Sequence, residues 1–452
     1  MEKREKDKFS LEESMKDAVK KLLEIPKEKE VLVVSHFDTD GISSAAIMIQ
    51  ALKNLDRKFS VKIVKRLESD FIHKLEKNKH IIFLDLASGM LNNIKEAGLG
   101  NVLIIDHHEI VQEIPESVTM VNPIIYGKEN ISSSGLTYLF CKEINPENRK
   151  FSKLAVLGMI GDLMGSNIDR LNNGILDEGE IKRKRGLLIY PWTRPINKVL
   201  EYNSEPYIPG ITGNPIGVLE LLRQSGIEPT NGKYKSLIDL DDEEMKKLVT
   251  AIMIRNPSTR NKEIVGEIFL LKFFNKLEDA RELSAMINAC SRLDEPEVAL
   301  QFCMEVPNSK KKAEAIHVKY KQHLISGLAF VRNSVENSDK IQGKGFLIIN
   351  ARDRIKDTII GTIASILSNS SLYEEGTVIT TMAYYEDKIK VSSRNVGRKG
   401  RNVREILDSV IKKTGGEVGG HEFAAGCIVN RDKEIEFIDS LRKMFEVELV
   451  KV

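Results

Sequence analysis

The sequence predicts an α/β protein in which a parallel-sheet domain is joined through a helical region to a smaller α/β domain. Three observations carry this. The apolar runs Val31–Val34, Ile81–Leu84 and Val102–Ile105 are continuous rather than alternating, as in strands buried on both faces of a parallel sheet. Segments with apolar residues at helical spacing surround them. The same alternation of strand and helix returns after Gly345, beyond a middle stretch dominated by helical patterns.

In chain order, residues from Leu11 to Leu23 form an amphipathic lead-in helix. The first strand ends in His36-Phe37-Asp38-Thr39-Asp40-Gly41, where Gly41 permits close backbone approach and Ser43 or Ser44 caps the helix that follows. Val61–Val64 is a short strand. The next two runs end in Asp85 and in Asp106-His107-His108. Ser132-Ser133-Ser134-Gly135 reads as a helix start, its serines acting as caps rather than touching substrate. The apolar stretch Leu154–Gly161 delivers Asp162 and is read as a fourth strand-end placement.

The pattern then changes. Lys182-Arg183-Lys184-Arg185 precedes Trp192 and Arg194. A solvated helix face beside a packed Trp is preferred there over a surface that holds single-stranded nucleic acid by phosphate contact and base stacking. Residues from Gly217 to about Lys272 carry helical patterns, notably Asp239–Leu248, and read as an inserted or connecting region. Helices are expected over Leu277–Leu293 and from Ser309 to about Val335, with Asn288 and Arg292 on one side of the first, facing a cleft between two lobes. His317 and His323 fit packing or solvent exposure better than metal ligation. Strands over 346–350, 376–385 and 388–394 and helices over 358–367 and 403–413 complete the last domain, where the glycines before His421 form a loop able to approach an anion. The expected domains are 1–190, 191–335 and 336–452.

His36, Asp38, Asp40, Asp85, His107, His108 and Asp162 are too many ligands for one cation. Mixed carboxylates and imidazoles suit manganese, and zinc or magnesium less well. Two ions sharing a carboxylate would use the set fully and point to phosphoester hydrolysis. Any one of these residues alone is equally well a helix cap or turn former.

The ordered set His36-Phe37-Asp38-Thr39-Asp40-Gly41, Asp85, Asp106-His107-His108 and Asp162 resembles the four motifs of the DHH phosphoesterases. Gly415-Gly416-Glu417-Val418-Gly419-Gly420-His421 resembles the Gly-Gly-His signature of the DHH-associated domain, DHHA1. Among DHH proteins the likeness is to archaeal RecJ-like exonucleases. The resemblance implies two Mn2+ ions, with Mg2+ as the substitute. His36 and Asp38 would hold one, Asp40, His107 and Asp162 the other, and Asp85 would bridge them. Asp106 and His108 would orient this shell or contact substrate. In the second domain it implies that Arg394, with Ser392 or Ser393, and His421, with the Gly419 and Gly420 amides, meet substrate phosphates. The implied activity is single-strand-specific exonuclease action on DNA or RNA in replication or repair, with a helicase or GINS protein as partner. The alternatives are an oligoribonucleotide or cyclic-dinucleotide phosphodiesterase and a RecJ-related replication scaffold; the intact ligand set speaks against the scaffold as sole role. The stretch after Asp162 is longer than in compact DHH oligonucleases, so carry-over stops there.

At 452 residues the chain can bury sizeable cores in two or three domains. Its 68 basic and 66 acidic residues nearly cancel, so nucleic-acid binding must come from local patches. Cys141, Cys290, Cys303 and Cys427 lack Cys-x-x-Cys spacing, which fits reduced core residues better than a thiolate zinc site or a disulfide framework. No apolar run has transmembrane length and the Met1–Lys8 start has no apolar signal core, so no membrane association and a cytoplasmic location are expected.

Overall fold

The computed structural model describes residues 10–127, 130–162, 164, 168–179, 181–203, 208–255, 264–333, 339–370 and 372–448. The charged start Met1–Lys8 and the expected helix end at Val335 lie outside these. The chain has a two-domain α/β architecture, and its contacts divide it into two compact units, Met1–Ile316 and His317–Val452.

The first unit is built on five strands, β1 (Val31–His36), β2 (Phe59–Val64), β3 (His80–Leu84), β4 (Val102–Ile105) and β5 (Val118–Val121), all parallel in the order β2-β1-β3-β4-β5. Successive residues point to opposite faces. Val31 and Val33 therefore enter one core with the helices Leu11–Glu24 and Thr39–Asn54, while Leu32 and Val34 enter a second with Ile72, Leu91 and Ile94. Each fully buried aliphatic side chain is worth roughly 1.5–3 kcal/mol, which holds both layers to the sheet. Val31 lies opposite His80, and Ile81 opposite Val102, so the carboxyl ends of β1, β3 and β4 share one rim. That rim receives His36, Asp85 and Asp106.

Three local expectations are corrected. Leu154–Gly161 belongs to a helix, Ser152–Gly161, so Asp162 arrives at a helix C-terminus and not at a strand end. A short apolar run cannot be assigned by periodicity when every side is buried. Lys182–Arg185 lies in a strand, β6 (Lys182–Leu187), which pairs antiparallel with β7 (Val265–Phe273). That strand pairs in turn with β8 (Lys276–Asp279). The connecting region thus contains a three-stranded sheet beside its helices, and the helix expected from Leu277 begins at Ala280. Phe274 and Asn275, both at positive φ, close the β7–β8 hairpin as a two-residue turn. Trp192 is buried among the helices Ile196–Tyr202, Pro215–Gln224 and Asp242–Arg255, and its indole donates to Leu187 O at 2.8 Å.

The second unit has a mixed sheet of β9 (Lys340–Gly343), β10 (Phe346–Asn350), β11 (Val378–Tyr385), β12 (Lys388–Asn395), β13 (Glu417–His421) and β14 (Ala424–Asn430), ordered β13-β14-β12-β11-β10-β9. Only β10 and β11 run parallel, through the crossover helix Asp357–Ser368. The third correction is here: of the glycines before His421, Gly419 and Gly420 lie in β13, paired antiparallel with β14, and not in a loop, while Gly415 and Gly416 link the preceding helix to it. Gly416 and Gly420 sit at φ +127° and +115°, and a Cβ on either would lie 2.2 and 2.5 Å from the carbonyls of Ile428 and Ala424. Glycine is what lets this strand form. Among the described residues no helix is long and apolar enough to cross a membrane.

Candidate metal centre

His36 is the last residue of β1, and Asp38, rather than the expected Ser43 or Ser44, caps the helix Thr39–Asn54, accepting from Gly41 N at 3.0 Å; both serines lie inside the helix. A Cβ on Gly41 would lie 2.3 Å from His36 O, so only glycine lets the chain turn this tightly. Asp40, one residue into the helix, is wholly buried. Its two carboxylate oxygens accept from Ser133 N at 2.7 Å and Ser134 N at 3.0 Å, the free amides that open the helix Ser133–Ile144. Ser132 and Ser134 stay in structural roles, bonded to each other, to Gly135 N and to Ala155 O.

Asp85 follows β3 at φ +60°, a left-handed backbone that aspartate tolerates better than most residues, with its N–H held by Ile105 O at 3.0 Å. Its carboxylate is buried. Oδ2 lies 3.4 Å from His36 Nδ1, and Oδ1 lies 3.6 Å from His107 Nε2 and 4.0 Å from His108 Nδ1. His36 Nδ1 is 3.0 Å from Asp38 Oδ2, and His107 Nε2 is 3.3 Å from Asp162 Oδ2. Three groups of donors within 4.8 Å of one another result: His36, Asp38 and Asp85; Asp40, His107 and Asp162; and Asp85, His107 and His108. Asp85 and His107 each belong to two of them.

The electrostatics of the cluster call for cations. Burial, then repulsion from Asp38 and Asp40, pushes the Asp85 carboxyl well above its usual range. Burial and the charges of Asp40, Asp85 and Asp38 push Asp162 up to about 10. Asp85 Oδ1 and Asp162 Oδ2 are buried without a hydrogen-bond partner. Unsatisfied lone pairs at that depth are costly unless something positive faces them. Oxygen and imidazole donors, with no thiolate, fit a pair of divalent ions of the manganese or magnesium kind.

Asp106 is brought to the same rim with its oxygens already used. It accepts from Ser88 N at 3.0 Å, His107 N at 2.8 Å, His108 N at 3.3 Å and His108 Nδ1 at 2.7 Å. Burial alone would raise the Asp106 carboxyl, but the bond and charge of His108 together with the Ser88 bonds hold it below the usual range, and the same bond raises His108. Asn122, unmarked by any sequence pattern, fixes the same turn by donating to His108 O at 2.9 Å and Ser88 Oγ at 3.2 Å. Asn288, on the helix Ala280–Arg292, accepts from Thr39 N at 3.2 Å and so secures the turn between Asp38 and Asp40.

In the second unit, Arg394, Ala424 and His421 lie side by side on β12, β14 and β13, and Ser392, Gly426 and Gly419 form the neighbouring rung. Arg394 donates to Ser365 Oγ at 3.2 Å and Ser393 O at 2.9 Å and meets no carboxylate among the described residues. Ser393 alternates to the other face, buried 2.8 Å from Thr380 Oγ1. Gly419, Ala424 and Gly426 place nothing larger than a methyl group beside Arg394 and the exposed His421.

Three family models match in order: the DHH family N-terminal domain over 30–161, the DHH-CID domain over 191–263 and the DHHA1 domain over 343–447. An uncharacterized protein of Methanocaldococcus jannaschii is 28% identical over 435 residues, 93% of this chain and 94% of the relative. The single-stranded-DNA-specific exonuclease RecJ of Bacillus subtilis is 22% identical over 175 residues, covering 35% of this chain and 22% of RecJ. RecJ of Thermus thermophilus in complex with Mn2+ shares the fold at TM-score 0.58 and 16% identity, covering 95% of this chain and 54% of that one. CDC45 of Entamoeba histolytica does so at TM-score 0.64 and 11% identity, over 96% and 98%.

Proposed function

We propose, from the membership of this chain in the DHH/DHHA1 phosphoesterase superfamily, that it is a divalent-metal-dependent exonuclease specific for single-stranded DNA or RNA. One observation carries the reading: Asp85 brings Oδ2 near His36, which groups with Asp38, and Oδ1 near His107, which groups with Asp40 and Asp162. In this reading Asp85 would bridge, and the two groups would each hold one Mn2+ or Mg2+. Bound in pairs, such ions neutralise a phosphate under displacement and lower the pKa of an attacking water.

The residues of the chain do the rest. Asp106 fixes the tautomer and direction of His108, whose side chain is 58% exposed and whose charge is favoured by that bond. His108 is thereby suited to hand a proton to the departing oxygen. In the second unit, Arg394 and His421 are suited to hold substrate phosphates by charge-assisted hydrogen bonds. The RecJ fold likeness and the manganese in that structure support this choice of substrate and ion. The fold likeness to CDC45 supports a place near replication proteins, but the complete donor set favours hydrolysis over a scaffold.

The test is digestion of single-stranded DNA and RNA, each labelled at one end or the other, with Mn2+, with Mg2+ and with a chelator. Stepwise release of mononucleotides that stops on chelation is the expected result. Cleavage confined to dinucleotides would move the reading to an oligonucleotide phosphodiesterase, and no cleavage under any metal would overturn it.

A further inference from the structure

Some cations among the described residues face a carboxylate: Arg194 meets Glu282, Arg352 meets Asp339 and Glu434, and Arg442 meets Glu446. The segment after β12 is different. Gly397-Arg398-Lys399-Gly400-Arg401-Asn402 leads into the helix Val403–Thr414, and Arg398, Lys399 and Arg404 are exposed with no carboxylate partner among the described residues. Like charges so close in sequence repel, and a fold that fixes them in place keeps a local positive field on a chain whose net charge is only +2.

The loop is held firmly. Gly397 and Gly400 take φ +71° and +127°. Asn395, buried at the end of β12, donates to the carbonyls of Lys399 and Arg401 at 3.2 and 3.3 Å. Arg401 turns inward, its guanidinium 5.5 Å from the Phe445 ring centre, and anchors the loop. Val403 N donates to Glu422 O at 2.8 Å, and Arg404 donates to Gly420 O. Those two bonds tie the loop to the β13–β14 hairpin that carries His421, next to the rung of Arg394. Glu375 borders Gly397, and Glu422 stands in the hairpin turn; they flank the basic loop without pairing with it.

We propose that Arg398, Lys399 and Arg404 form a further phosphate-binding site, for the sugar-phosphate backbone of a single strand that continues past the nucleotides held by Arg394 and His421. The proposal rests on the reading of the chain as a nucleic-acid phosphodiesterase and sharpens it: the substrate is a strand several nucleotides long rather than a dinucleotide.

The experiment compares the wild-type chain with Arg398→Ser/Lys399→Ser, and with Arg404→Ser, for binding of labelled single strands of two and of twenty nucleotides across a range of salt, with hydrolysis measured in parallel. Thermal unfolding confirms that each variant folds. Affinity for single strands falls with salt by about 0.7 log units per log unit of salt for each phosphate contact. The double variant is therefore expected to flatten the slope for the long strand by about 1.4 while the short strand changes little. An unchanged slope and affinity for the long strand overturns the loop assignment and leaves the hydrolase reading intact. Loop-dependent binding by a wild-type chain that cleaves nothing supports the loop and overturns the hydrolase reading.

Discussion

A Cβ on Gly158 would lie 2.3 Å from Oδ1 of Asp40. The helix Ser152–Gly161 thus passes directly against the carboxylate that the Ser133 and Ser134 amides hold from the other side. Gly158→Ala has no room, since the same Cβ would also meet Ser134 Oγ at 2.1 Å. The expected result is a loss of about 1–3 kcal/mol of stability from overpacking, with Asp40 displaced and manganese bound less tightly. Thermal unfolding and manganese titration of the variant check both; unaltered manganese affinity would show that the position of Asp40 is indifferent to its neighbour.

Asp85→Ala should abolish hydrolysis by several orders of magnitude while keeping the fold. The residue sits past the end of β3, where truncation leaves the sheet pairing of Leu84 untouched. In metal-free protein the variant is relieved of a buried carboxyl under repulsion from Asp38 and Asp40, which offsets the cost of about 1–2 kcal/mol for alanine at φ +60°. Near-normal turnover in manganese would sink the bridging role.

Asp106→Asn keeps the volume but exchanges one acceptor oxygen for an NH2 group, among four N–H groups that now donate to the carboxylate. His108 then loses both its direction and the charge-favouring bond. The expectation is a fall in kcat of about 10²-fold with KM little changed, measured by steady-state kinetics. A fall in metal content as large as the fall in rate would place Asp106 among the ligands instead.

Cation binding should release protons. In metal-free protein the raised Asp85 and Asp162 carboxyls hold protons that an unfolded aspartate, at 3.8, has lost. The folded state then binds more protons than the unfolded one, so metal-free stability falls as pH rises above the unfolded value, through the range up to about 10 set by Asp162. Cations that displace those protons bind more tightly as pH rises. Calorimetric titration with Mn2+ in buffers of different ionisation enthalpy reads the release, and a buffer-independent heat would contradict it.

Arg394→Ala and His421→Ala should leave manganese affinity unchanged and weaken capture of single strands. Charge-assisted contacts of this kind are worth roughly 1.5–3 kcal/mol, which corresponds to a loss of about tenfold to a hundredfold. Parallel titrations with metal and with labelled strands separate the two effects. Loss of metal binding with normal strand affinity would reverse the assigned division of labour.

The strand-end residues were legible because they depend on local order alone. A continuous apolar run such as Val31–Val34 or Val102–Ile105 reads as a buried parallel strand, and whatever follows it must emerge at the carboxyl rim. His36, Asp85 and Asp106-His107-His108 therefore converge as the sequence implied, and the rung of Arg394 and His421 stands on the second sheet. The surroundings of these residues were not legible. Whether Leu154–Gly161 was strand or helix turned on burial from all sides, which erases periodicity; the pairing of β6 with β7 joins segments separated by an intervening helical core, and no local signal announces a partner that far along the chain.

By itself, then, the sequence determined the α/β class, the order of the ligand-bearing turns and the donor chemistry, because backbone period and side-chain type are local properties. Only the tertiary structure decided that Asp106 spends its oxygens on backbone and His108, that Asp40 is clasped by Ser133 and Ser134, that Asp162 hangs from a helix end, and that Asn122 and Asn288 hold the turns. Each of those facts is a hydrogen bond or close approach between residues distant in the chain or buried beyond the reach of pattern, and such bonds exist only once the sheet has brought the rim together.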